Sequence, residues 1–516
     1  MNDDASPTEN ATWKQKARVF PWPLLAILAV AAFLRLFALG SESFWLDEVY
    51  SLGVAVRDVP SIVSYCADAD TLPPLYYIIL HYWVAAFGQS EVALRSFSAL
   101  CGIVSVLVIY RLGSDLFDRQ TGLISAFLLA ISAFAITYSQ EARHYGLLLM
   151  LTLLSFFFFV KILRAEKPTI THFLCYSLST VLLCYAHVYG LFMFSSQILY
   201  FLLFQRRYPE ARIVVWSAQA VALLAFSPWI FVILTKSVDV ASQGALFLYK
   251  PSLDLIITAL AEYAGHATSM VLVLPVFIVL SVFGVLYFPE VHRHQSQRKA
   301  RRGSQPAKVR LLVTRPKTAL LLLWFFFPFL ASLMISYTIT PIFWDKYLIG
   351  ITPALYILVA RGIRRLDPIM NAHIERMPAT LILVALIALL SLPGLHDLYA
   401  SPQNEQWREV TSLVEQESQP DDVVVVCHFN YIYPFNHYYR GDLETLGIEF
   451  WVSENEELAS FVDGAVKGKE RLWLVLTTYE QTRNAPIKAY LLARYGSDSV
   501  VSQEEFVHIV VYLFDI

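Results

Sequence analysis

Charge is what this sequence has least of. Of its 516 residues, 16% are Asp, Glu, Lys or Arg and 57% are hydrophobic, and the mean hydropathy is +0.52. A water-soluble domain carries about a quarter charged residues, so the whole chain does not read as one. Cysteine is scarce as well. Of the five, Cys101, Cys175 and Cys184 fall in apolar runs and read as buried thiols. Cys66 and Cys427 fall in polar segments, and nothing in the sequence argues for a disulfide between them. There is no Gly-rich phosphate loop and no paired-Asp nucleotide site, which points away from a soluble nucleotide-linked substrate. No internal repeat is visible and no low-complexity tract apart from one basic link. No small-residue cleavage site follows the first apolar run, so it reads as a retained helix and not a signal peptide. The net charge of -3 identifies no partner, because the charges are segregated along the chain.

What the chain does have is a series of apolar stretches near or above the roughly 18 residues needed to cross a bilayer. The class is a polytopic α-helical membrane protein. Spans are expected at 20–40, 92–112, 120–138, 144–163, 171–187, 190–205, 212–234, 269–288, 318–337, 347–361 and 378–397, eleven in all. Lys14, Lys16 and Arg18 precede the first and place the tail 1–19 in the cytoplasm by the positive-inside rule. The links "GSDLFDRQ", "RAEKPT", "QRRYPEAR" and "RGIRRLDP" then fall on the same side, as does the basic link 289–317. Segment 41–91 is too polar for one span and becomes an outer loop. Its stretch "LPPLYYIILHYWVAAFG" suits a helix lying at the interface. After about 398 the character changes. "DDVVVVCHF", "RLWLVLTT" and "VHIVVYLFDI" read as strands, "NEQWREVTSLVEQ" and "YEQTRNAPIKAYLLARYG" as helices, so 399–516 is expected to be a small extracytoplasmic α/β domain. The membrane part is then 20–398.

Ionisable residues gather at the outer ends of these spans. Asp47 and Glu48 follow the first span, and Arg95 begins the second. "YSQEARHYG" ends the third with Glu141 and Arg143, "CYAHVYG" supplies His187 and Tyr189, and "TPIFWDKYL" supplies Lys346 and Tyr347. Each has a plainer reading. Asp47 and Glu48 taken alone read equally well as a solvated loop pair. Arg143 and Lys346 suit snorkelling cations, and Arg95 an ion-pair partner for Glu91 one turn away. His187 taken alone reads as an interfacial histidine. Acids, cations and a histidine collected on one side favour a site, since ionisable groups at membrane depth are costly.

A carboxylate beside cations at a lipid interface suits sugar transfer from a polyprenyl phosphate to a hydroxyl. The departing phosphate is a weak base and needs no general acid. One carboxylate takes the acceptor's proton, and cations or a divalent metal hold the phosphate. The contrasting reading is a transporter or flippase for a lipid-linked or anionic solute. Such proteins tend to show repeats and mid-membrane charges, and here the charges sit at span ends. A non-catalytic assembly subunit is the third reading.

The segments "FWLDEVYSL", "LPPLYYIILHYWVAAFGQSEVALRSFSAL", "YSQEARHYGLL", "YAHVYGLF" and "PIFWDKYLIGITPAL" together resemble the GT-C superfamily of lipid-phosphate-dependent glycosyltransferases. The resemblance is to family 39, the dolichyl-phosphate-mannose protein mannosyltransferase type, and to its relative, the aminoarabinose transferase of lipid A. It covers roughly residues 20–360. It implies Asp47 as the catalytic carboxylate with Glu48 as its partner. Donor contacts are implied from Lys346 and Tyr347, with Arg143 and His187 in support. On the residues alone, Arg95 joins Lys346 and Arg143 as a cation for the phosphate, and Glu141, Tyr189 and Tyr76 stand as supporting candidates. The implied partners are a polyprenyl-phosphate sugar, a glycan, lipid or protein acceptor and membrane lipid, with no nucleic acid. The implied location is a bacterial plasma membrane. Two departures bear on the metal. Leu72 stands where many members carry His or Lys before the Pro-Pro pair, and Lys346 stands where relatives often carry Arg. No metal ligands are assigned, and no cofactor beyond a divalent metal is in prospect.

Overall fold

The computed structural model describes residues 22–70, 72–244, 250–265, 270–287, 310–311, 316–370, 379–448, 455–478 and 481–516. The tail 1–19 and nearly all of the basic link 289–317 lie outside these residues. The chain opens with α1, Trp22–Leu36, followed by α2, Leu46–Ala55, α3, Val59–Tyr65, α4, Leu75–Phe87, and α5, Glu91–Leu116. Further helices run Arg119–Ile131, Tyr145–Arg164, Ile170–Ala186, Gly190–Phe204, Arg212–Gly244, Met270–Val285, Pro316–Thr338, Thr352–Met370 and Ala379–Ala400. Among the described residues six helical stretches are long and apolar enough to cross a membrane: Glu91–Leu116, Tyr145–Arg164, Arg212–Lys236, Pro316–Thr338, Lys346–Asp367 and Ala379–Ala400. The helices at the other expected spans are shorter, or in one case interrupted.

Segment 41–91 folds as three short helices and not as one span. Local chemistry sets their starts. Asp58 accepts from Ser61 N at 2.9 Å to cap α3, and Ser90 accepts from Ala93 N at 3.3 Å to cap α5, each satisfying one of the orphan donors of a helix start. Gly88, at φ +88°, ends α4 in a backbone conformation that side chains disfavour.

The expected span 120–138 breaks in two, Arg119–Ile131 and Ala133–Thr137. Ser132 starts the second piece by accepting from Ala135 N at 3.2 Å. The carbonyls stranded at the end of the first piece are met by Arg35 of α1, which donates to Leu129 O at 3.0 Å and Ala130 O at 3.1 Å. Its guanidinium is fully buried and serves as a tertiary C-cap. The helix before this break lies close against α5. A Cβ at Gly122 would come within 2.4 Å of Tyr110 O. Leu253–Ala264 is a further helix that hydropathy does not mark as a span, capped by Ser252 on Leu255 N at 3.1 Å.

The C-terminal part is a five-stranded mixed sheet. Its strands are β1, Asp422–Cys427, β2, Glu444–Ile448, β3, Arg471–Thr477, β4, Val500–Phe506, and β5, Ile509–Asp515, in spatial order β2-β1-β3-β5-β4. The first three are parallel, with Val423 opposite Glu444 and Leu472, and β5 joins β3 and β4 antiparallel. Alternation along each strand divides the core. Val424, Val426, Trp473 and Val475 face Trp407, Tyr431 and Phe435, while Val423, Val425, Leu472 and Leu474 face Leu458, Val462 and Leu491. The strands β1, β3 and β5 stand where β-branched runs predict them. β2 and β4 carry no such run. β4 is a largely exposed edge strand with the polar sequence "VVSQEEF", so no apolar run marks it.

This domain sits on the segment that follows α1. Glu42 accepts from Gln403 N at 2.9 Å and Asn404 N at 3.0 Å. Tyr438 Oη donates to Glu91 Oε1 at 2.7 Å and accepts from Phe44 N at 2.7 Å.

Candidate functional site

α2 begins with two acids in its first turn, where the positive end of the helix dipole favours them. Neighbouring helical positions diverge by about 100°, and Asp47 and Glu48 accordingly part company. Glu48 is fully buried, whereas the Asp47 side chain is 33% exposed.

Glu48 meets Arg95 in a two-pronged contact, Nε to Oε1 at 2.8 Å and Nη2 to Oε2 at 2.6 Å. Ala142 N adds a third donor to Oε1 at 2.8 Å. The remaining Arg95 donors go to the carbonyls of Leu39 at 3.1 Å, Glu42 at 2.9 Å and Ser43 at 2.9 Å. All five guanidinium N–H groups are therefore committed, which fits Arg95 to holding Glu48 and the loop before α2. It does not fit the donor-phosphate contact, nor the pairing with Glu91, offered in the sequence reading. Glu91 instead bonds Tyr438 and lies 3.4 Å from Arg408.

Asp47 turns toward a different pair of cations. Arg143 Nη2 lies 3.5 Å from Oδ2 and Lys346 Nζ lies 4.0 Å from the same oxygen. Arg143 also donates from Nη1 to Asp47 O and Ser51 Oγ, both at 3.2 Å. Lys346 starts a 3-10 turn whose first N–H is capped by Asp345 Oδ1 at 2.7 Å. Its ammonium sits among three rings, Trp45 at 5.2 Å, Tyr145 at 5.5 Å and Trp344 at 5.1 Å. Such rings attract a cation through their faces. Tyr145 belongs to the outer-end segment "YSQEARHYG" read from the sequence, whereas Trp45 and Trp344 are absent from the sequence-derived site residues. Their signal was their place, with Trp45 and Trp344 each two residues before a charged candidate.

Behind this front, Tyr347 lies 5.0 Å from the ring of His187 and 5.3 Å from that of Tyr189. Tyr189 donates through its hydroxyl to Ile342 O. His187 stacks on His144 at 4.5 Å between centroids. Tyr76 of α4 is buried, edge-on to His144 at 6.0 Å, and lines the wall. His187 Nδ1 accepts from Tyr189 N at 3.1 Å, which leaves the ring proton on Nε2. Burial pushes the Glu141 carboxyl up to about 8, opposed by Lys346 and Arg143 and reinforced by Glu48 and Asp47. The cluster thus combines one half-open carboxylate with two adjacent cations, a histidine whose Nδ1 accepts a hydrogen bond and a neutral acid.

A cavity of about 330 Å³ opens nearby, bounded among others by Glu42, Gln140, Glu141, Tyr399, Asn404 and Glu409. Asp47 does not line it, whereas Arg95 and Glu141 do. Among the described residues no three His, Cys, Asp or Glu side chains gather as a ligand set, and both ion-pair partners of Asp47, Arg143 and Lys346, are cations. That donor set does not fit a divalent metal.

Residues 71–231 match the family model described as dolichyl-phosphate-mannose-protein mannosyltransferase. The matched stretch holds Tyr76, Arg95, Glu141, Arg143, His187 and Tyr189 and stops short of Asp47, Glu48 and Lys346 on either side. No curated protein matches the sequence. Among solved structures, ArnT from Cupriavidus metallidurans in the apo state is 12% identical, with a TM-score of 0.56 over 95% of this chain and 97% of that one. The same protein bound to undecaprenyl phosphate gives 13% and 0.55 over the same shares. The Archaeoglobus fulgidus oligosaccharyltransferase in the apo form gives 13% and 0.53 over 92% of this chain and 71% of that one. At these identities the likeness is one of fold. With the family match it bears out the resemblance to GT-C glycosyltransferases read from the sequence.

Proposed function

We propose that this chain is an integral-membrane glycosyltransferase that moves a sugar from a polyprenyl phosphate to a hydroxyl acceptor, with inversion at the anomeric carbon. The observation that carries the reading is Asp47, a partly open carboxylate 3.5 Å from Arg143 and 4.0 Å from Lys346. The family match over 71–231 and a fold shared with an ArnT structure bound to undecaprenyl phosphate support the donor class.

In this reading Asp47 takes the proton of the acceptor hydroxyl as that oxygen bonds to the anomeric carbon. The bond from that carbon to the phosphate oxygen breaks, and its electron pair leaves with the polyprenyl phosphate. One displacement with no enzyme-bound sugar inverts the centre. Arg143 and Lys346 offset the charge gathering on the phosphate. Lys346 acts as a point charge steadied by its rings, and Arg143 as a fork. His187 offers its Nε2 proton to an oxygen. Glu48 and Arg95 hold α2 in place, and Tyr347, Tyr189 and Tyr76 shape the wall.

The membrane part 20–398 would carry this site on the outer face of a bacterial plasma membrane, crossed eleven times with the N-terminus inside. The α/β part 399–516 would stand outside. The acceptor is a glycan, lipid or protein hydroxyl. The test is transfer by purified protein in detergent from a panel of radiolabelled polyprenyl-phosphate sugars. Asp47→Asn should slow the wild-type reaction by roughly 10²–10⁴-fold, the usual worth of general-base help, and transfer should persist in EDTA. No transfer from any donor by well-folded protein would bring the transporter reading forward.

A further inference from the structure

The first turn of α2 is gripped from two sides. On one side Glu48 is bound by Arg95. On the other, the residue just before Asp47 is held by the C-terminal domain. The N–H of Leu46 is one of the donors that a helix start leaves without an intrahelical partner. It donates to Glu405 Oε2 at 3.1 Å, across 359 residues of sequence. The same oxygen accepts from Trp407 Nε1 at 2.7 Å. Both Glu405 and Trp407 are buried. The Leu46 side chain packs against the core cluster built from Trp407, Tyr431, Phe435 and Ile509. A residue anchored at its N–H and its side chain by one domain, two positions from another anchored by the membrane core, leaves Asp47 little freedom.

We propose that Glu405 is a positioning residue for Asp47, and that the C-terminal domain is a working part of the active site and not a tethered module. The proposal rests on the reading of Asp47 as general base. A base must be held close to its productive geometry, and a misplacement of about 1 Å can cost on the order of 10²-fold in rate.

The hydrogen bonds make the role separable from simple packing. Both donors use one oxygen, so a glutamine carbonyl can receive them and an alanine cannot. Burial also pushes the Glu405 carboxyl up to about 7, which brings a neutral amide close to the native charge state.

The experiment uses the full chain in detergent, with the donor that the wild type turns over. It compares Glu405→Ala, Glu405→Gln and Asp47→Asn by kcat, donor KM, and hydrogen exchange of the backbone over 44–50. E405A should lower kcat by roughly 10- to 100-fold, leave donor KM within about 2-fold and speed exchange at 44–50, whereas E405Q should restore both. Should E405A not fold, Glu405→Leu, which fills the same space without a hydrogen-bond acceptor, should show the same loss confined to kcat. Wild-type kcat in E405A alongside an inactive D47N overturns the proposal and leaves the function standing. So does unchanged exchange at 44–50. Equal losses in E405A and E405Q also overturn it, since the hydrogen-bond acceptor would then be irrelevant. A wild type inactive on every donor defeats the functional reading instead, and with it any catalytic role for Glu405.

Discussion

Asp47 and Glu48 are chemically alike and adjacent, yet they meet opposite environments. Glu48 has its oxygens filled by Arg95 and Ala142 N, so it cannot exchange protons with a substrate without breaking a buried pair. Removing one member of such a pair leaves the other charge uncompensated, at a cost of about 3–5 kcal/mol. Glu48→Gln should therefore lower unfolding stability by an amount of that order in detergent, and replacing both Glu48 and Arg95 with apolar residues should cost less than either single change. The sequence offered Arg95 a phosphate or Glu91 as partner, because a pairing across 47 positions leaves no periodic trace.

Glu141 makes a pH prediction at the same scale. Its carboxyl titrates near 4.5 when solvated and about 8 in the fold, so folding retains a proton there. The stability contributed by that group is full below about 4.5 and is lost as pH rises toward 8. Glu141→Gln cannot titrate. Its unfolding temperature should fall less between pH 5 and pH 8.5 than that of the wild type. Parallel curves for the two proteins would contradict the assigned burial.

Helices and strands follow from the sequence wherever one physical signal dominates. Apolar runs mark the long helices, and β-branched runs mark β1, β3 and β5. The break at Ser132 escaped notice because its compensation is tertiary, with Arg35 reaching from α1 to the stranded carbonyls of Leu129 and Ala130. Gly122 is an element-scale test of helix approach. A Cβ there would press within 2.4 Å of a backbone oxygen, which cannot swing aside as a flexible side chain does. Gly122→Ala should destabilise by about 1–3 kcal/mol, as overpacking does, measured as lowered thermal unfolding of the solubilised protein.

Considered as a whole, the molecule has its charged site and its α/β domain at the same end of the helical part. If that end faces outward, cysteines placed at Gln419 and Glu166, both exposed, should label differently in intact cells. A membrane-impermeant maleimide should reach Gln419→Cys from outside and should reach Glu166→Cys only after the membrane is opened. The reverse pattern would invert the proposed orientation.

The sequence by itself determined where apolar length demands helices and where the sheet's buried strands run. It also brought acids, cations and histidine into the same set of links, because those signals are local in composition or period. The tertiary structure decided which cation each acid meets. It turned Glu48 inward to Arg95 and left Asp47 before Arg143 and Lys346. It also brought Glu405 to the start of α2. Such pairings join residues tens to hundreds of positions apart, and only the packing of whole elements sets the distances that electrostatics and hydrogen bonding depend on.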